Sequence, residues 1–197
     1  GDLKLTANAG LTRDNVAELV FNALTKAVTV EYNDTFNIYF NTGSTWANGV
    51  KFDYKQALGY KNFDLVYMND EDDFGRPART WAYNKETVGT FVNYDQLVAE
   101  YTVKVTGKTM YTDIGYKTID DYATYAFENG KTVKNFDADT VLTKNNDKAV
   151  LTSGKGVLTQ VFVNDTDETI TIVVIHTYLA EATADYNSKK EYLTVKV

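Results

Sequence analysis

From Val157 onward the chain alternates. Val157, Thr159, Val161 and Val163 share one side of an extended segment, and Asn164-Asp165-Thr166-Asp167 supplies turn residues. Ile170, Ile172, Val174, His176 and Tyr178 then share one side of a return strand, with Thr171, Val173 and Ile175 on the other. Apolar residues on both faces at mid-strand predict a central, covered strand. Alternation recurs upstream. Phe36, Ile38 and Phe40 follow Val28–Tyr32 and an Asn33-Asp34 turn, and Tyr101, Val103 and Val105 alternate with Thr102, Lys104 and Thr106. Tyr122–Phe127 and Thr132-Val133 flank Asn129-Gly130, the pair favoured in a tight hairpin because both residues tolerate positive φ. Ala78–Tyr83 and Thr87–Asn93 read as strands joined at Asn84-Lys85-Glu86. Between them and the first hairpin, Val50, Phe52 and Tyr54 alternate, Gln56–Tyr60 suits a helical turn and Phe63–Met68 another strand. A last strand is expected at Tyr192–Val197, with a further domain after it.

One stretch has helical rather than alternating spacing. In Leu11–Ala27, Val16, Leu19, Val20, Ala23, Leu24 and Ala27 form a stripe, against Asp14, Glu18, Asn22 and Lys26 on the other side. Thr12 stands at the N-cap position, with Asn15 three residues on. The predicted fold is α+β and mainly β, with this amphipathic helix packed on antiparallel sheets or a small β-barrel. Residues 1–27 and 28–197 form the two expected parts, and the β-rich part has a candidate division near 95–101.

Composition agrees with strand chemistry. Tyr occurs 15 times and Phe 10 times, aromatic residues that suit a half-buried pleated surface. The net charge of −7 disfavours nucleic acid and anionic membrane surfaces as partners, and no Lys/Arg cluster offsets it. With no cysteine in the sequence, thiol catalysis, disulfides and iron–sulfur centres are excluded. The apolar run Val173-Val174-Ile175 is far too short to span a membrane. No signal peptide is present and the chain opens on Gly1, which reads as an excised fragment whose targeting segments lie elsewhere.

Candidate chemistry is sparse. Asp70, Glu71, Asp72 and Asp73 offer hard oxygen ligands for calcium, but EF-hand spacing is absent and the run precedes Gly75 and Pro77, which favours a solvated loop. The only histidine, His176, shares its face with Ile170, Ile172 and Val174, which favours a structural role, and no G-x-S-x-G elbow accompanies it. Gly154-Lys155-Gly156 lacks phosphate-loop spacing. Trp46, Trp81 and Tyr83 are candidates for stacking on sugar faces, set against ordinary cross-strand packing. No metal site and no cofactor are expected.

The segment LTRDNVAELVFNAL resembles the closing helix of an S-layer homology repeat, with Thr12, Arg13, Ala17 and Leu19 in the matching positions. DDFGRPARTWAYNKETVGTFV and GKGVLTQVFVNDTDETITIVVIHTYLAEAT are similar to regions that follow such repeats in large surface proteins of Gram-positive gut bacteria. The resemblance implies an extracellular, cell-surface setting, with neighbouring domains of the same chain and cell-wall polymer, held through adjacent repeats, as partners. Thr12 and Arg13 would carry the polymer-binding role; Asp14 and Asn15 depart from the family's pattern, in which a Glu follows the Arg closely. The expected function is a non-enzymatic structural or adhesion module of an S-layer-like protein. A carbohydrate-binding module is the alternative, and a hydrolase using two carboxylates is a third reading.

Overall fold

The computed structural model describes residues 10–41 and 54–197. The protein is mixed α and β, mainly β, and among the described residues the sheets are open rather than closed into a barrel. The described residues form two compact units. One is built from residues before Glu71 together with Ala78–Phe91, and the other from Glu71–Pro77 together with Val92–Val197.

The first unit begins with helix α1 (Arg13–Lys26). Thr12 caps it as the spacing predicts: its hydroxyl accepts from the Asn15 N–H at 3.1 Å, and the Asn15 side chain accepts from the Thr12 N–H at 3.2 Å. Strands β1 (Val30–Asn33) and β2 (Ile38–Asn41) form the expected antiparallel hairpin. A single 3-10 turn (Tyr54–Gln56), helix α2 (Leu58–Phe63) and strand β3 (Leu65–Glu71) follow. Strands β4 (Pro77–Tyr83) and β5 (Glu86–Val92) complete a sheet of order β3-β4-β5. Asn84 and Lys85 both take positive φ at the β4–β5 turn. The strand expected around Val50 and Phe52 lies outside the described residues.

Helix α1 packs on the first unit's sheet through Phe21, whose ring lies 5.9 Å from that of Trp81, but leaves much of its apolar stripe in water. Val16 and Val20 are 46% and 52% exposed. The less exposed residues of the helix are Asn15, Glu18, Asn22 and Leu24, half-buried, and Thr25, buried. Two local features make this orientation workable. Thr25 is buried without an orphan donor because its hydroxyl bonds back to the Phe21 carbonyl at 2.7 Å. Gly59 lets α2 approach closely, since a Cβ there would stand 2.8 Å from the Leu24 carbonyl oxygen. The Leu58 N–H donates to the Ala27 carbonyl and ties the two helices end to end.

The second unit is organised on strands β6 (Leu97–Tyr101), β7 (Ala123–Glu128), β8 (Lys131–Thr132), β9 (Val157–Asn164) and β10 (Thr169–His176), in the order β6-β9-β10-β7-β8. The long β9–β10 hairpin is antiparallel, as its alternation predicts, and β10 is the middle strand with Ile170, Ile172, Val173 and Val174 fully buried. The β7–β10 pair is parallel. Helices α3 (Gly107–Ile114), α4 (Tyr116–Asp121) and α5 (Ala138–Val141) contribute to a core with Val161, Ile170, Ile172 and Ala126 through Met110, Ile119 and Leu142.

Two corrections apply here. The strand expected from Tyr101 to Val105 is displaced upstream, and Thr106 instead caps α3 by accepting from the Thr109 N–H. The alternation at 101–106 reflects Tyr101 and Val105 meeting the core from a strand end and a loop. The C-terminal strand reduces to the short pair β11 (Glu181–Ala182) and β12 (Val195–Lys196).

The acidic segment is a built turn of the second unit. Asp72 accepts from the N–H groups of Phe74 and Arg76 and from the Arg76 guanidinium at 2.7 Å. Gly75, at φ +81, lies flat against the Phe127 ring, which a Cβ would enter at 2.5 Å.

Candidate functional site

One polar cluster joins residues distant in sequence, and it follows from the parallel register of β7 and β10. Val174 stands opposite Glu128, so strand periodicity carries His176 past the end of β7 on the same face as Glu128. The His176 Nε2 lies 2.8 Å from Glu128 Oε1, and the His176 N–H donates to Asn129 Oδ1 at 2.9 Å. Asn129 and Gly130 take φ of 47° and 76°, so the hairpin signal in the sequence also sets this anchor. Hydrogen bonds from Thr152 first, then from His176, hold the Glu128 carboxyl below its ordinary value. Just beyond, Tyr178 is 67% exposed with its ring 6.5 Å from the imidazole.

A depressed carboxyl contributes stability that is present above its unfolded value and lost as pH falls through its folded one. For Glu128 that loss begins below its ordinary value of 4.5. Acid titration followed by tyrosine fluorescence is therefore expected to show a shallower decline below that pH in Glu128→Gln, which has no carboxyl to protonate. Equal slopes for the two proteins would remove Glu128 as the contributor.

The aromatic candidates separate. Trp46 lies outside the described residues. Trp81 is a core residue, 7% exposed, with Tyr67 at 5.0 Å, Tyr54 at 5.6 Å and Phe21 at 5.9 Å between ring centroids. Its faces are engaged within the first unit, so it has none to offer a sugar. The Tyr54 hydroxyl donates to the Leu65 carbonyl, and burial, followed by the neighbouring Tyr67, pushes its pKa up to about 12. The Arg79 guanidinium lies over the Tyr67 ring at 4.6 Å. Tyr83, at the end of β4, is 54% exposed.

Thr12 and Arg13 stand together at the start of α1, with the Thr12 hydroxyl already engaged as the cap and Arg13 exposed. In the acidic segment, Asp72 is engaged by three hydrogen bonds within the turn and Asp70 accepts from the Thr80 hydroxyl at 2.5 Å. Among the described residues no three His, Cys, Asp or Glu side chains are grouped to hold a metal ion. Asn164 closes the β9–β10 turn by accepting from the Thr166 and Asp167 N–H groups, and Asp165 accepts from the Tyr122 hydroxyl.

Sequence reasoning found His176 but missed Glu128, because 48 residues separate them and only the parallel register brings them together. It also missed Tyr54 and Tyr67 as partners of Trp81. No protein-family model, curated protein or solved structure matches the chain. Among the described residues no helix is long and apolar enough to cross a membrane.

Proposed function

We propose that this chain is a non-enzymatic structural or adhesion module of a bacterial cell-surface, S-layer-like protein. The observation that supports this reading is the use made of the conspicuous polar side chains. Thr12 caps α1, Asp72 builds the β3–β4 turn, Asn164 closes the β9–β10 turn, and Glu128 and His176 pair across two strand ends. Each strengthens the backbone framework, as a spacer under load requires. The Thr12–Arg13 resemblance supplies the wall setting, with polymer held by adjacent repeats and not by this segment alone.

The test is fractionation of the source cells with an antibody to the chain. Recovery in the wall fraction, with no affinity of the isolated chain for purified wall polymer, is the expected result. Recovery in the cytosol overturns the proposal.

A carbohydrate-binding reading is favoured by one observation: the exposed Tyr178 ring stands beside the Glu128–His176 pair, an apolar platform next to hydrogen-bonding groups. Saturable glycan-array binding abolished by Tyr178→Ala would select it over the first reading.

A further inference from the structure

We infer that Asn129 is a self-modification site latched by its own turn: when the end of β10 lifts off the β7–β8 turn, Asn129 converts to isoaspartate, and the converted turn does not close again. Asparagine before glycine is a thermally labile pair, because a residue with no side chain leaves its backbone nitrogen open to the preceding carboxamide. The chemistry needs only base and water. The Gly130 nitrogen gives up its proton to base and bonds to Asn129 Cγ. The Cγ–Nδ2 bond then breaks and the nitrogen leaves as ammonia, closing a five-membered imide. Water opens that ring at either carbonyl. One opening gives aspartate, and the other routes the main chain through Cβ and Cγ as isoaspartate.

Asn129 and Gly130 are both exposed, so water and base reach them. Conformation is what restrains the reaction. Asn129 is left-handed at φ 47°, a conformation that sets the next nitrogen anti to Cβ across the Cα–C bond. Attack needs that nitrogen at near-contact distance from Cγ, which takes rotation about both Cα–Cβ and Cα–C of Asn129. The first rotation is opposed by the His176 N–H, which donates to Oδ1 at 2.9 Å. The second swings the whole Gly130 peptide plane. Gly130 is wedged, since a Cβ there would stand 2.1 Å from the Asp73 carbonyl oxygen and 3.7 Å from the Phe74 α-carbon. On either side, the Asn129 N–H donates to the Val174 carbonyl at 2.9 Å and Glu128 pairs with Lys131. The His176 N–H, the Val174 carbonyl and the imidazole on Glu128 all belong to β10. Lifting the end of that strand therefore frees the Asn129 side chain and backbone together. In the isoaspartate product the main chain between Glu128 and Lys131 is one carbon longer, which the two-residue turn does not accommodate.

Peptide mapping by mass spectrometry follows conversion at Asn129 during mild alkaline incubation. In native buffer the rate is expected to be at least about ten-fold below that of the urea-unfolded chain, because only the opened turn reacts. His176→Ala keeps the N–H but takes the ring from Glu128, which loosens the strand end. This variant is expected to speed native conversion about five-fold, with circular dichroism checking that it is folded. Equal rates at Asn129 in buffer and in urea overturn the latch, as does a folded His176→Ala chain that converts no faster than the original. The one-way step has its own readout in the Val133 N–H, which donates to the Ala126 carbonyl at 2.8 Å across β7 and β8. Its hydrogen-exchange protection is expected to be lost in the isoaspartate form, isolated by ion exchange. Asn129→Asp, whose carboxylate still accepts from the His176 N–H, is expected to keep it. Protection retained in the isoaspartate form, or lost equally in Asn129→Asp, overturns the lengthened turn as the reason that closure fails.

Discussion

Replacing Gly107 by alanine is expected to destabilise the protein by about 3 kcal/mol, measured by urea unfolding. A Cβ at this position would stand 2.0 Å from the Val141 carbonyl oxygen and 2.6 Å from the Asn146 side-chain nitrogen. The first contact is with backbone, which cannot swing aside as a side-chain end can. The surroundings are also tightly tied: the Gly107 N–H donates to the Lys148 carbonyl, and the Asn146 amide donates to the Val141 carbonyl at 2.6 Å. Relief would require α3 to withdraw from α5, pulling the fully buried Met110 away from the core. Alanine elsewhere in a helix normally stabilises relative to glycine, so the sign here is diagnostic of the close approach. A Gly107→Ala protein as stable as the original would show that α3 and α5 are further apart.

Trp81→Ala is expected to cost about 4 kcal/mol, within the range for a large aromatic removed from a core. The loss includes the edge contacts to Phe21 and Tyr54 as well as the tilted contact to Tyr67. This variant also separates two roles for tryptophan. A stacking platform for sugar would lose ligand affinity and leave the midpoint of unfolding unchanged. The structure calls for the reverse, with thermal unfolding moving down and the near-ultraviolet circular dichroism of the aromatic cluster collapsing. The effect should be far larger than that of Tyr83→Ala at the exposed end of the same strand.

The contrast between these sites shows which parts of the fold were legible in the sequence. The β9–β10 hairpin was legible because its alternation spans two full strands and its turn carries Asn164. Asn129-Gly130 was legible for the same local reason. The helices α3 to α5 were not. Gly107 at the start of α3 is a poor helix former, Tyr111 and Thr112 favour strands, and the helix is held by Met110 entering a core assembled from distant residues. How much of the α1 stripe is covered is not legible, because periodicity locates an apolar stripe without saying what it faces. Gly59 against Leu24 and the Ala27–Leu58 hydrogen bond decide that, and they act between residues more than thirty positions apart. The Glu128–His176 pair depends on a parallel register that has no sequence signature.

The β3–β4 turn has a consequence for how this chain can be divided. Its strands belong largely to one unit while Glu71–Pro77 belong to the other. Cutting the chain before Val92 would therefore not release the second unit whole. The liberated piece would lack the glycine lying on Phe127, and Gly130, whose α-carbon is approached by the Asp73 carbonyl, would face a gap. Recombination or engineering that moves the Val92–Val197 segment alone transplants an incomplete body. The smallest portable block in which that body keeps all its parts begins at Glu71, and it necessarily carries β4 and β5 with it.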